Sequence, residues 1–227
     1  MSHFINIIEQ FLSIQGESTL TGLPSWFIRL SGCNIRCQYC DTAYAFAGGT
    51  RVSIEKIIKN IPQSPSFHVT ITGGEPLLQP GTPFLAQALL ERNTRVLIFT
   101  NGSQSIGKLP KACIKVMDIK SPWCETDPPK TYPGFVKTPF LDYQNLNLLT
   151  KHDQVKFVIR NHAEFLWSLE FLKQNELDIP TDNIIFSPEA SLMPPHTLGK
   201  WILDADQPIR LGIQVHKALK LDPGHGK

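Results

Sequence analysis

The chain has 227 residues, of which 41% are hydrophobic and 19% are charged, and its formal net charge is +2. This composition is typical of a globular protein and argues against a disordered chain. The small net charge and the lack of a Lys/Arg run argue against a nucleic-acid-binding protein.

The N-terminal sequence MSHFINIIEQFLSIQGE lacks the basic region, apolar core and cleavage site of a secretory signal. No stretch of about 18 apolar residues is present, so we expect no membrane span and a cytoplasmic protein. Thiols stay reduced in the cytoplasm, and an odd total of five cysteines argues against a disulfide framework. Cys113 and Cys124 stand apart from the other three and are interpreted as ordinary thiols.

Strand and helix patterns alternate along the chain. Alternating apolar residues predict strands, and apolar residues spaced three and four apart predict helices. In chain order, the predicted elements are a strand at 24–30, a helix at 52–61, a strand at 67–72, a helix at 82–93, strands at 94–100, 113–120 and 154–159, a helix at 162–175, a strand at 183–187, a helix at 195–205 and a strand at 209–214. Residues from about 121 to 153 carry no assignable pattern.

Strands that alternate with helices form parallel sheets with crossover helices. About six or seven such units are too few for a closed eight-stranded barrel, which needs about 250 residues. The sequence therefore predicts an α/β fold, a partial, open barrel of about six parallel strands in a single domain over residues 1–227. Functional residues of such folds lie at the carboxyl ends of the strands.

The most specific motif is SGCNIRCQYCDT at 31–42, which places Cys33, Cys37 and Cys40 directly after the first predicted strand. A structural zinc ion needs a fourth protein ligand, and the sequence offers none at a suitable spacing. A [4Fe–4S] cluster has four irons, so three cysteines leave one iron open to a non-protein ligand. A zinc site and three unpaired loop thiols are the alternatives at this point.

A second motif, TITGGEPLLQ at 70–79, places Gly73, Gly74 and Glu75 after another predicted strand. Glycines let the backbone approach a ligand closely, and the glutamate could accept hydrogen bonds from an ammonium group. A tight turn is the alternative interpretation of a glycine pair. Together, the two motifs favour one shared pocket.

The cysteine spacing, with Tyr39 before the last cysteine, and the GGE motif resemble the radical S-adenosylmethionine enzymes. Within that superfamily, FLSIQGE at 11–17, GLPSWFIRLSGCNIRCQYCDT at 22–42 and IQVHK at 213–217 resemble the 7-carboxy-7-deazaguanine synthase family. The chain departs from the usual family pattern at Ser18, where glycine is expected, and it continues past Asp222, near which many members end.

The resemblance implies a lyase that uses a [4Fe–4S] cluster, S-adenosyl-L-methionine and Mg²⁺. In this family a 5′-deoxyadenosyl radical abstracts hydrogen from C6 of 6-carboxy-5,6,7,8-tetrahydropterin. The ring then contracts and loses ammonia to form 7-carboxy-7-deazaguanine, in queuosine biosynthesis. The implied partners are this small-molecule substrate, an electron donor such as flavodoxin or ferredoxin, and a second copy of the chain in a homodimer. The rival hypotheses are an activase that makes a glycyl radical on a partner protein and a zinc-binding interaction module.

The resemblance also implies the site residues. Cys33, Cys37 and Cys40 would bind the cluster, and Thr42 would bind Mg²⁺. The residues expected to contact S-adenosylmethionine are Tyr39, Cys40, Asp41, Gly74, Glu75, Asp118, Ile119, Lys120, Ser187, Pro188, Glu189 and Ala190. The residues expected to contact the substrate are Ile14, Gln15, Gly16, Glu17, Arg29, Thr72 and His216.

Three of these expectations have structural alternatives. A guanidinium in an apolar strand is costly unless an anion pairs with it, so Arg29 would bind either the substrate carboxylate or a protein carboxylate such as Glu17. Mg²⁺ prefers oxygen ligands, but Thr42 could equally be a helix cap. A single histidine such as His216 is commonly a core residue with its hydrogen bonds satisfied.

Overall fold

The computed structural model describes residues 3–62, 68–125 and 140–219. Its strands are β1 (Phe4–Ile14), β2 (Pro24–Leu30), β3 (Thr50–Ser53), β4 (His68–Gly73), β5 (Val96–Thr100), β6 (Ile114–Ile119), β7 (Gln154–Ile159), β8 (Ile184–Pro188) and β9 (Arg210–Leu211). Its α-helices are α1 (Ile54–Lys59), α2 (Thr82–Leu90), α3 (His162–Gln174), α4 (Pro195–Asp204) and α5 (Val215–Ala218). Short 3₁₀ helices lie at Ala43–Phe46, Pro76–Leu78, Tyr143–Leu148 and Thr181–Asn183.

The strands form one sheet in the order β3-β1-β2-β4-β5-β6-β7-β8-β9. Every neighbouring pair from β2 to β9 is parallel, whereas β1 is antiparallel to both β2 and β3. Because β9 has only two residues, the parallel part consists mainly of the six strands β2, β4, β5, β6, β7 and β8. The predicted open, mostly parallel sheet is confirmed.

The core lies between the sheet and the helices. Side chains alternate between the two faces of a strand, and on β7 Phe157 faces the helices. Its ring makes edge-to-face contacts with Trp167, Phe171 and Phe186 at centroid distances of 6.1, 5.7 and 5.2 Å. Helix α3 begins where the side chain of Asn161 accepts a hydrogen bond from the backbone of the first turn. The opposite face of the strands is therefore left to line a cavity.

The sequence pattern predicts neither β1 nor β3. The register of β1 against β2 shifts between Ile7 and Glu9, and such a bulge interrupts the alternation by which a strand is recognised. The predicted strand at 209–214 is confined to Arg210–Leu211. None of the helices in the described ranges has the length and apolarity needed to cross a membrane.

Candidate active site

A cavity of about 440 Å³ opens at the carboxyl ends of the parallel strands, a volume within the usual range of small-molecule sites. Residues from the first and last thirds of the chain meet there. The predicted site residues that line it are Ile14, Gln15, Gly16, Glu17, Arg29, Cys33, Cys37, Tyr39, Cys40, Asp41, Thr42, Thr72, Gly74, Asp118, Lys120, Ser187, Pro188, Glu189 and Ala190. The sheet therefore brings together the segments in which the motifs lie.

The glycine pair packs directly against the cysteine loop. A Cβ atom added at Gly74 would overlap the carbonyl oxygen of Gly32 and would lie 2.7 Å from the Cβ of Cys33. The backbone N–H of Glu75 donates to the same Gly32 carbonyl at 2.7 Å. Only glycine allows β4 to end this close to the loop, so the first role of the pair is to join the two motifs.

The three clustered cysteines all line the cavity. Burial raises the pKa of the Cys33 thiol to about 11 and also raises that of Cys40, whereas a hydrogen bond from Cys124 lowers the pKa of Cys37 to about 7. Among the described residues, no three His, Cys, Asp or Glu side chains are arranged to bind one metal ion. A cluster does not need that arrangement, because each of its cysteines binds a different iron. Three thiols on one loop facing one cavity fit a [4Fe–4S] cluster.

Two predicted cofactor contacts, Glu75 and Ile119, do not line the cavity. The Glu75 carboxylate is fully buried and accepts hydrogen bonds from the Thr100 hydroxyl at 2.9 Å, the Asn101 N–H at 2.6 Å and the Leu77 N–H at 2.9 Å. Burial raises its pKa to about 7, although these hydrogen bonds oppose the shift. Glu75 thus ties the end of β4 to the end of β5, and its contact with a cofactor stays a prediction.

The side chain of Gln15 is bound within the protein. Its amide donates to the Thr70 hydroxyl at 2.9 Å and accepts from the backbone N–H of Glu17 at 3.1 Å. Only 2% of the residue is exposed. Gln15 therefore holds the loop between β1 and β2 in place, and recognition of a ligand by its amide stays a prediction.

Arg29 pairs with a protein carboxylate, but with Glu9 on β1 and not with Glu17. Its Nε donates to Glu9 Oε1 at 2.6 Å, and the Tyr44 hydroxyl donates to the same oxygen at 2.8 Å. The guanidinium also lies over the rings of Phe11 and Tyr44, 5.8 and 5.7 Å from their centroids. Arg29 is thus oriented by its neighbours and still lines the cavity.

Thr42 stands at the cap position of the 3₁₀ helix Ala43–Phe46, but its side chain does not cap that helix. Its hydroxyl donates instead to Asp41 Oδ1 at 2.9 Å. Asp41 Oδ2 in turn accepts from Lys217 Nζ at 2.7 Å. Although desolvation opposes ionisation, the bond to Lys217 lowers the pKa of Asp41 to about 2.

The predicted QVHK segment reaches the cavity through α5. The Gln214 amide donates to Glu17 Oε1, and Gln214 and Lys217 both line the cavity. The backbone of His216 lies in α5, but its side chain, like the whole of Asp222, lies outside the described part of the structure.

Lys156 is the main cavity residue that sequence reasoning missed. Its Nζ lies 3.3 Å from Glu17 Oε2 and 3.5 Å from Asp118 Oδ2, and Lys120 Nζ lies 2.9 Å from the same Asp118 oxygen. The sequence did contain a signal for Lys156, because QVKFVI places one lysine in an otherwise mostly apolar strand. PSWFIRL places Arg29 in a strand in the same way.

An open parallel sheet with a three-cysteine loop after its first parallel strand defines an enzyme of the radical S-adenosylmethionine class. In agreement, residues 27–117 match the Radical SAM superfamily. Membership of this superfamily implies a [4Fe–4S] cluster and S-adenosylmethionine as cofactors.

Curated relatives indicate the family within the radical S-adenosylmethionine class to which the chain belongs. A 7-carboxy-7-deazaguanine synthase of Koribacter versatilis is 36% identical, with 94% of this chain and 96% of the relative covered. A 7-carboxy-7-deazaguanine synthase of Chlorobaculum tepidum is 34% identical, with 94% of this chain and 93% of the relative covered. The chain belongs to the 7-carboxy-7-deazaguanine synthase family, as its motifs predicted.

Two solved structures share the fold. QueE from Escherichia coli has a TM-score of 0.71 at 22% identity, covering 93% of this chain and 94% of that one. Streptococcus suis SuiB bound to S-adenosylmethionine has a TM-score of 0.54 at 12% identity, covering 80% of this chain and 45% of that one. Both support the open, mostly parallel architecture.

Proposed function

We propose that this protein is a 7-carboxy-7-deazaguanine synthase, a radical S-adenosylmethionine lyase of queuosine biosynthesis. It would convert 6-carboxy-5,6,7,8-tetrahydropterin to 7-carboxy-7-deazaguanine with loss of ammonia. One observation carries the proposal: motif residues from both ends of a chain of this family line a single cavity of about 440 Å³.

The cavity has a cofactor side and a substrate side. On the cofactor side, Cys33, Cys37 and Cys40 would hold the cluster, and Asp118 and Lys120 with residues 187–190 would contact S-adenosylmethionine. When bound, these cofactors supply the radical that starts the reaction. Asp118 and Lys120 form an ion pair at 2.9 Å, so both polar groups are held at the cavity wall.

On the substrate side, the loop carrying Gln15, Gly16 and Glu17 would face the pterin ring. Arg29 would bind the substrate carboxylate. Its Nε is engaged by Glu9, which orients the guanidinium so that its terminal nitrogens would meet the anion. A planar guanidinium suits this two-point contact better than an ammonium group does.

The remaining parts of the proposal concern Mg²⁺, partners and organisation. Thr42 would bind Mg²⁺, which prefers oxygen ligands and commonly shares them with substrate. The hydroxyl of Thr42 supplies such an oxygen at the cavity wall. We further propose a single domain over residues 1–227, a homodimer in the cytoplasm, and flavodoxin or ferredoxin as the electron donor.

The test is a direct assay. Protein reconstituted anaerobically with iron and sulfide is incubated with the carboxytetrahydropterin, S-adenosylmethionine, Mg²⁺ and a reductant. We expect 7-carboxy-7-deazaguanine and ammonia in equal amounts, and we expect neither from a Cys33→Ala variant. Cluster-loaded wild-type protein that binds S-adenosylmethionine but forms no deazaguanine would exclude the proposed activity.

A further inference from the structure

Lys156 connects the two sides of the cavity. Its Nζ lies 3.3 Å from Glu17 Oε2, on the loop proposed to face the substrate, and 3.5 Å from Asp118 Oδ2, on the proposed cofactor side. The lysine side chain is only 5% exposed, yet Lys156 lines the cavity together with both acids. Neither the motifs nor the proposed contacts assign it a role.

The sheet register explains how Lys156 reaches both acids. Lys156 on β7 is the direct neighbour of Asp118 on β6. Alternation turns Lys156 toward the cavity, and turns Phe157 toward the core. Gln154, on the same face as Lys156, accepts from the Thr19 N–H at 2.9 Å and donates to the Thr19 hydroxyl at 2.8 Å. Strand β7 therefore holds the loop after β1 at two points.

The charges around Lys156 depend on one another. Desolvation opposes the charge on Lys156, but Glu17 and Asp118 raise its pKa, so the ammonium form persists. Removing this cation would leave Asp118 paired with Lys120 at 2.9 Å, whereas Glu17 would lose a cation in a partly buried space, which disfavours the charged form of Glu17. A substrate that is itself a carboxylate would then enter a more negative cavity.

We propose that Lys156 is a positioning residue for the proposed reaction. Its ammonium group binds both Glu17 and Asp118. It thereby fixes the position of the loop that carries Glu17 relative to the cofactor side of the cavity. The inference rests on the proposed function, because it takes the carboxytetrahydropterin as the ligand of that loop.

The test compares Lys156→Met and Lys156→Arg with a buried lysine elsewhere. Lys115 on β6 is a matched control, because its Nζ lies 3.0 Å from Asp153, both side chains are at most 4% exposed, and it faces away from the cavity. Thermal unfolding and the Kd for the carboxytetrahydropterin are measured on reconstituted protein with S-adenosylmethionine bound.

We expect Lys156→Met to raise the Kd at least tenfold and Lys156→Arg to recover most of that loss. Lys115→Met should lower the unfolding temperature and leave the Kd unchanged. An unchanged Kd in Lys156→Met, or an equal change in Lys115→Met, overturns the inference. If Lys156→Met does not fold, Lys156→Gln is judged by the same criteria. If wild-type protein makes the deazaguanine and the Lys156 variants bind the carboxytetrahydropterin with an unchanged Kd, only the positioning role of Lys156 is refuted. If wild-type protein makes no deazaguanine, the proposed function is refuted.

Discussion

Cys124 packs against Cys37, although the two residues lie on different loops, and a hydrogen bond from its thiol lowers the pKa of Cys37 to about 7. Cys124 is fully buried beside Cys33 and Ile35. Its carbonyl oxygen accepts from the backbone N–H of Gln38 at 2.8 Å, which fixes the two loops together. A cysteine that the sequence presents as an ordinary thiol therefore contacts a proposed cluster ligand.

The first prediction concerns the reduction potential of the cluster. Hydrogen bonds to cluster sulfurs raise the potential, so Cys124→Ala should lower it by about 40 mV, the equivalent of a hydrogen bond worth ~1 kcal/mol. A redox titration followed by electron paramagnetic resonance measures the change. Cys113→Ala is the control, because Cys113 is also buried but belongs to the main core. Equal potentials in the two variants would contradict the role of Cys124.

The second prediction concerns Arg29. Arg29→Lys should weaken binding of the carboxytetrahydropterin by about 1.5–3 kcal/mol, a loss of roughly tenfold to more than a hundredfold, because an ammonium cannot bind a carboxylate at two points. Isothermal titration calorimetry under anaerobic conditions measures the Kd of each protein for the carboxytetrahydropterin. Arg51→Lys serves as a control, since Arg51 on β3 stacks over Phe4 instead of lining the cavity. An unchanged affinity of Arg29→Lys for the carboxytetrahydropterin would contradict the proposed role of Arg29 in binding the substrate.

The third prediction separates the Mg²⁺ role of Thr42 from a structural one. Thr42→Ala removes the hydroxyl, so stimulation of the activity by added Mg²⁺ should be lost while the iron content stays at the wild-type level. Thr42→Ser keeps the hydroxyl and should keep the stimulation. The assay is a Mg²⁺ titration of product formation, and a full response in Thr42→Ala would show that the metal is bound without this side chain.

The fourth prediction is a pH dependence of stability caused by Glu75. Burial raises the pKa of Glu75 to about 7, above its ordinary value of 4.5, so the folded state holds a proton that the unfolded state has lost. The contribution of Glu75 is therefore complete below pH 4.5 and is lost as the pH rises through about 7. Urea unfolding between pH 5.5 and 8 should show this decline in wild-type protein.

Glu75→Gln provides the control for that decline. The amide does not titrate, so the pH dependence should become flatter than in wild-type protein. The variant should also be less stable at pH 8 by about 1–3 kcal/mol, because its NH₂ group would face backbone donors that the ionised carboxylate of wild-type protein accepts there. Parallel pH profiles of the two proteins would argue against a raised pKa.

Much of the architecture was predictable from local pattern. The parallel strands from 24–30 onward carry mostly apolar or alternating apolar residues and are followed by glycine, cysteine or polar residues at their carboxyl ends, so both the sheet and the side of the cavity could be anticipated. Strand β1 could not be predicted in this way, because a bulge between Ile7 and Glu9 breaks the alternation of its side chains between the two faces.

The sequence by itself determined the family, the open parallel sheet and more than half of the residues that line the cavity, because the motifs, the family resemblance and the periodicity all lie within short segments. Only the tertiary structure decided how those residues are paired. The contacts of Cys124 with Cys37, Lys156 with Glu17 and Arg29 with Glu9, and the inward orientation of the Glu75 carboxylate, join segments far apart in the chain or depend on strand register. Periodicity shows which face of a strand is buried, but not which charged side chain on a neighbouring strand or loop lies within 3 or 4 Å of it.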